Sequence, residues 1–129
     1  MILDSSAVVA ILFKEPEREA FLHRTMTSAE VGMSAATMVE TVMVVEGRGG
    51  LESGHDLDRF LDDARVQIIP FSAEHAALAR DAWRRFGKGR HPAGLNLGDC
   101  FAYALARSRN EPLLFKGDDF AQTDVKAAI

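Results

Sequence analysis

The sequence predicts an α/β fold of three layers, α/β/α, built on a mostly parallel central sheet of about five strands. Two observations lead there. Short apolar runs alternate along the chain with longer segments of helical character, the order expected when helices are the crossovers of a parallel sheet. No repeat, low-complexity tract or linker interrupts the 129 residues, a length that suits one domain, residues 1–129, with a core of its own.

Residues 1–4, an apolar run closed by Asp4, read as a short buried strand, and residues 6–14 as the helix after it. Pro16 restarts the chain as a helix over residues 17–26, since a proline at a helix start gives up an N–H that has no partner there. Residues 31–34 form the second strand. Residues 35–46 are strongly helical and stop at the breaker cluster Gly47-Arg48-Gly49-Gly50. An amphipathic helix resumes over 51–65, with Leu57, Phe60, Leu61 and Ala64 at helical spacing. The third strand is 66–71. Ser72 then caps a helix to about residue 86, whose first turn carries Glu74, favourable to the helix dipole. After a glycine-bearing loop at 87–94, the reading continues with a helix over 97–109, a strand over 112–115, a turn at 117–124 and a final edge strand at 125–129.

Composition narrows the class. With 47% hydrophobic and 26% charged residues the chain has the balance of a globular protein, not a disordered one. A net charge of −4 supplies no global positive field, which argues against a DNA-binding module. It argues less against a metal-dependent nuclease, whose acids are offset by bound ions. The single cysteine, Cys100, excludes an internal disulfide and suits a reducing compartment. Residues 5–13 are uncharged, but no basic segment precedes them and Asp4 interrupts the apolar run, so they are not a signal-peptide core. Nothing approaches the length of a membrane span. A cytoplasmic protein without a membrane partner is expected.

Four acids stand out from this background: Asp4, Glu40, Asp99 and Asp118. Ordinary helix-surface acids have a basic neighbour three or four residues away, as Asp62 has Arg59 and Asp81 has Arg84 and Arg85. Glu40 has Ala36, Thr37, Met43 and Val44 at those offsets, and Asp99 has Leu95, Asn96, Ala102 and Tyr103. Asp4 and Asp118 follow the apolar runs of the first and last main strands. In an open α/β sheet that is the edge where ligand sites form. Each has a plain structural alternative: Asp4 as a helix cap, Asp99 as a first-turn acid, Glu40 at the rim of a half-buried face, Asp118 and Asp119 as turn residues. Four carboxylates converging without a cation would instead be costly to keep ionised, which points to a divalent-metal site. Oxygen-only donors select Mg²⁺ or Mn²⁺. His23, His55, His75 and His91 are scattered and read as surface residues, and Cys100 as core packing.

At these residues the chain resembles the PIN-domain ribonucleases, specifically the VapC-type toxins of toxin–antitoxin pairs. The resemblance rests on Ile2-Leu3-Asp4-Ser5-Ser6-Ala7, Met38-Val39-Glu40-Thr41, Leu95-Asn96-Leu97-Gly98-Asp99-Cys100-Phe101-Ala102 and Leu114-Phe115-Lys116-Gly117-Asp118-Asp119-Phe120, in family order over essentially the whole chain. It implies an endoribonuclease whose acids hold one or two Mg²⁺ or Mn²⁺ ions, with Asp4, Glu40 and Asp99 as the first three and Asp118 as the fourth, Asp119 being its alternate. Ser5, together with Ser6 and Asn96, would support the acids. The resemblance also implies an RNA substrate, a homodimer and a VapB-like antitoxin. Apolar residues on the first helices (Val8, Ile11, Leu12, Phe13, Phe21 and Leu22) exceed one core face and could serve such contacts. Arg84, Arg85, Lys88 and Arg90 form a basic stretch before the Asp99 helix, readable as a phosphate-gripping arm or as a solvated helix end, and Lys116 is a further phosphate contact.

Rival readings are a receiver-like phosphoacceptor, an Asp-x-Asp phosphatase, and a catalytically inactive binding module on the same fold. A receiver wants an acid pair after the first strand, where Asp4 is followed by Ser5. A phosphatase wants a second acid where Ser6 stands.

Overall fold

The computed structural model describes residues 1–129. In chain order the elements are β1 (Ile2–Leu3), α1 (Ser5–Leu12), α2 (Arg18–Met26), β2 (Gly32–Ser34), α3 (Ala35–Asp63), β3 (Gln67–Ile69), α4 (Ala73–Phe86), α5 (Leu97–Arg109) and β4 (Leu113–Leu114), followed by a 3-10 turn, Phe120–Gln122. Four strands, all parallel, form one sheet in the order β3-β2-β1-β4. The expected fifth strand is reduced to a single parallel bridge, Leu113 with Ala127. Val125 packs on the core, but Ala127 and Ala128 are small and Ile129 is exposed, so little apolar burial holds a longer edge.

Side-chain parity in the strands explains the three layers. Successive strand residues point to opposite faces. Leu3 and Leu114 enter a core with Val8, Ile11, Phe21, Met33, Val45 and Leu57 beneath α1, α2 and α3. Ile2 and Leu113 enter a second core with Leu95, Cys100, Tyr103 and Leu105 beneath α4 and α5. A strand covered on both faces must be apolar at every position, as Ile2-Leu3 and Leu113-Leu114 are. β3 lies at the sheet edge and is correspondingly shorter than the 66–71 run, with Gln67 and Ile68 exposed.

Two expectations about the helices need correction. The helix starting at Ala35 does not stop at Gly47; it continues through Arg48 and Gly49 and breaks only at Gly50, with φ +71°, after which helix resumes to Asp63. Glycine weakens a helix without forbidding it, so packing of Val45 carries the helix past Gly47. The apolar surplus of the first helices is internal: Val8, Ile11 and Phe21 are core, with Leu12, Phe13 and Leu22 packed on it. Exposed apolar area lies instead on Val39, Met43, Val44 and Leu51 of α3 and Leu97 of α5. Among the histidines, His75 is buried with its ring edge-on to Phe71, and the half-buried His91 accepts the Ala93 N–H and packs on Phe86. No helix is long and apolar enough to cross a membrane.

The sheet order places a switch point at β1. From β1 the chain steps to β2 and β3 on one side and returns to β4 on the other. The carboxyl end of β1, where Asp4 emerges, is the crevice in which such sheets bind ligands.

Candidate active site

Asp4 is the hinge between β1 and α1. Its backbone still pairs with the sheet, N–H to Leu114 C=O at 3.0 Å, while its side chain caps α1 by accepting the Ser6 N–H at 3.0 Å. The Ser6 hydroxyl donates to the same oxygen, Oδ2, at 2.5 Å and itself accepts the Lys116 N–H at 3.0 Å. Because that N–H occupies an acceptor side of Oγ, the Ser6 proton is directed at Asp4. The other oxygen, Oδ1, is buried and has no partner.

Asp99 shows the same division. It is the third residue of α5, where Asn96 Oδ1 accepts the Asp99 N–H at 2.9 Å and Asp99 Oδ2 accepts the Asn96 N–H at 3.0 Å. This is a capping box with Asp in place of the usual Glu, and it leaves Oδ1 outside the box. Glu40, on the second turn of α3, lays its carboxylate against Gly98, and its Oε1 is buried without a partner. The Ser5 hydroxyl lies beside it and favours its charged form.

Electrostatics tie the three together. Burial pushes Asp4 up to about 6, against the Ser6 hydrogen bonds, and the Glu40 charge raises it further. Burial raises Glu40, and the Asp99 charge adds to it. Burial pushes Asp99 up to about 6, with Asp4 and Asp119 adding repulsion. Each of Asp4, Glu40 and Asp99 thus feels another of the three, and no Lys or Arg pairs with any of them. As placed, no three His, Cys, Asp or Glu side chains of the chain come together closely enough to hold a metal ion. What Asp4, Glu40 and Asp99 share is uncompensated negative charge and two buried oxygens with no partner, the conditions a hard divalent cation relieves. In donor chemistry, oxygen only, the set suits Mg²⁺ or Mn²⁺.

Two acids, Asp118 and Asp119, follow β4. Asp119 is the acid whose charge reaches Asp99. Both are exposed, and the Asp118 backbone carbonyl accepts from Gln122 Nε2 at 3.3 Å. Lys116 is engaged by Glu15 and Glu17.

The basic stretch spans the end of α4 and the loop that leads to α5. α4 and α5 pack as an antiparallel pair, and Gly87 bridges to Leu95, just before the Asn96 cap. Within it, Arg85 is committed to the protein: it pairs with Asp81 at 3.3 Å and Asp124 at 3.2 Å, and Asp124 in turn accepts from the Tyr103 hydroxyl at 2.8 Å. The Arg90 guanidinium lies 4.0 Å from the Trp83 ring centroid, while Arg84 and Lys88 are exposed. A groove of about 410 Å³ opens beside the acids, lined by Glu40, Met43, Val44, Leu97, Gly98 and Phe101 among others.

The PIN-domain family model matches residues 1–126. Over 127 residues, 98% of each chain, the sequence is 48% identical to Ribonuclease VapC of Mycolicibacterium smegmatis. The chain belongs to the VapC family of PIN-domain proteins. Ribonuclease VapC30 of Mycobacterium tuberculosis is 46% identical over 97% of this chain and 95% of its own. Among solved structures, this VapC-family chain resembles Mycobacterium tuberculosis VapC20, a sarcin-ricin loop cleaving toxin, with TM-score 0.78, covering 96% and 95% of the two chains at 14% identity. It also resembles a chain of the Rickettsia felis VapBC2 complex solved on a promoter DNA fragment, with TM-score 0.74, covering 94% and 90% at 18% identity. At such identities these two likenesses speak for the PIN fold alone.

Proposed function

We propose that the protein is a Mg²⁺- or Mn²⁺-dependent endoribonuclease of the toxin kind, hydrolysing RNA phosphodiester bonds and neutralised by a VapB-like antitoxin. The observation that carries this reading is the mutual repulsion of Asp4, Glu40 and Asp99, uncompensated by any cation, with buried oxygens on Asp4 and Glu40 left without partners. Relatives named ribonuclease VapC at nearly full length support the same chemistry.

In this reading Asp4, Glu40 and Asp99 would hold the ion, with Asp119, through its charge on Asp99, as the fourth acid; Asp118 is the alternate. The ion would supply Lewis acidity at the phosphoryl oxygen and ease deprotonation of water at neutral pH. The chain's own part is positional. Ser6 and Asn96 pin one oxygen of Asp4 and of Asp99, so the other oxygen of each is presented. Glu40, buried on its Oε1 side beside Ser5, is the group suited to orient the attacking water and receive its proton. Hydrolysis of this kind needs no ribose 2′-OH as nucleophile, so a 5′-phosphate product is expected.

Arg84, Lys88 and Arg90 serve the RNA backbone in this reading, while Arg85 and Lys116 are held by protein acids. The exposed apolar residues of α3 and α5 suit a second copy or the antitoxin. The test is Asp4→Asn: RNA cleavage in Mg²⁺ or Mn²⁺ should be lost with the circular dichroism of the fold retained, and EDTA should silence the wild type. Full ribonuclease activity in the variant, or in EDTA, overturns the reading.

A further inference from the structure

Gly98 occupies the second position of α5, where an alanine would favour the helix and glycine disfavours it. It is buried, its backbone is ordinary for a helix, and no turn or positive φ calls for glycine. A Cβ added there would overlap the Glu40 carboxylate: the three nearest atoms are Oε2, Cδ and Oε1 of that one side chain.

We infer that Gly98 is a positioning residue whose missing side chain is the seat of the Glu40 carboxylate; the inference deepens the nuclease reading and rests on it. Helix α3 delivers Glu40 from one side and α5 delivers Asp99 from the other, so the two acids approach across an interhelical gap. With the bare backbone of α5 under Oε2, the carboxylate lies flat on the first turn of the helix that carries Asp99, with Oε1 buried and without a hydrogen-bond partner. A methyl group at position 98 would lift it off. The obstructing atoms are the far end of a flexible chain, so the overlap resolves by moving the carboxylate and not by unfolding the helix. The seat therefore sets the position of a catalytic acid without touching substrate.

This predicts an unusual sign. Gly98→Ala should keep or raise the melting temperature of the metal-free protein, because helix propensity improves and the Glu40 charge moves toward solvent. Mn²⁺ affinity, read by electron paramagnetic resonance, should fall about 10–100-fold, the usual penalty when a residue that orients metal ligands is lost. kcat for RNA cleavage should fall with it while the KM for RNA stays within about twofold. Glu40→Asp, one methylene shorter, withdraws the carboxylate from position 98, so in the Gly98→Ala background it should recover part of the lost Mn²⁺ affinity, whereas in the wild-type background it should weaken binding. A purely structural role for Gly98 would show no such rescue. A crystal structure of metal-free Gly98→Ala provides a readout independent of activity: the Glu40 carboxylate should be displaced. Wild-type Mn²⁺ affinity in Gly98→Ala, simple additivity with Glu40→Asp, or an undisplaced carboxylate each overturns the seat. Absence of metal-dependent cleavage by the wild type would instead overturn the nuclease reading, and the crystal structure would still decide the seat.

Discussion

Asp4 illustrates how one residue serves both the scaffold and the site. A carboxylate has two oxygens: Oδ2 caps α1 and accepts the Ser6 hydroxyl, while Oδ1 is buried and unpaired. The cap reading and the metal reading drawn from the sequence are therefore compatible, each describing a different atom. The buried oxygen has an energetic consequence. Asp4 rises from 3.8 to about 6, so below about pH 4 it is protonated folded or unfolded and costs nothing. Between about pH 4 and 6 the unfolded chain loses the proton first, and stability falls as pH rises. Above about 6 the full cost, on the order of 2–3 kcal/mol, is present. In EDTA, Asp4→Asn should therefore melt several degrees higher than the wild type at pH 7.5 and equally at pH 4, by calorimetry. Comparison with the wild type cancels the carboxylates elsewhere, and relief of Asp99, which the Asp4 charge repels, adds to the difference. A lower melting temperature for the variant at pH 7.5 would mean that the charge is compensated after all.

Among elements, α3 is the one whose reading depends most on backbone chemistry. Three glycines in a row of four residues suggested a stop after Glu46, yet only Gly50 leaves the helix, at φ +71° and ψ −171°, a region that L side chains rarely adopt. Gly47 is helical with open space around its Cα. The two glycines should respond oppositely. Gly50→Ala should cost about 1–3 kcal/mol from backbone strain. Gly47→Ala should gain roughly 0.5–1 kcal/mol from helix propensity and reduced unfolded-state freedom. Urea midpoints would show this, and a stabilising Gly50→Ala would refute the assigned break. The same contrast explains why the break was legible only as a cluster: composition marks three candidate glycines, and the packing of Val45 and Leu57 on either side decides which one bends.

At the scale of the whole molecule the question is where RNA could lie on a chain of net charge −4. The Gly87 to Leu95 bridge draws the end of α4 to the start of α5, the helix that carries Asp99, and in the proposed reading Arg84, Lys88 and Arg90 form a local basic edge there. Arg85 belongs to a different job, clamping Asp124 and so the C-terminal segment onto the helical pair. Burial pushes Asp124 up, but the Tyr103 hydroxyl, Arg107 and Arg85 outweigh it and hold it below the usual range. Neutralising Arg84, Lys88 and Arg90 together in the Asp4→Asn background should reduce the slope of log affinity against log salt by about 2 for single-stranded RNA. Arg85→Ala should lower the melting temperature instead. An unchanged salt slope in the triple variant would remove the edge from the substrate path.

Local chemistry settled a good deal by itself. Strands apolar at every position require cover on both faces, and acids without basic neighbours in apolar helices mark Asp4, Glu40 and Asp99, so the layered fold and three acids are readable from order and spacing. Other features depend on residues distant along the chain. Whether Asp118 or Asp119 faces Asp99 depends on a turn after β4, where adjacent residues of the same type are indistinguishable by pattern. That Gly98 makes room for Glu40, and that Asp124 claims Arg85, are contacts across 58 and 39 positions. Periodicity reports which face of an element is apolar, because burial acts on each element separately. It carries no record of which side chain meets which across a gap, because that is decided only when the helices dock on the sheet.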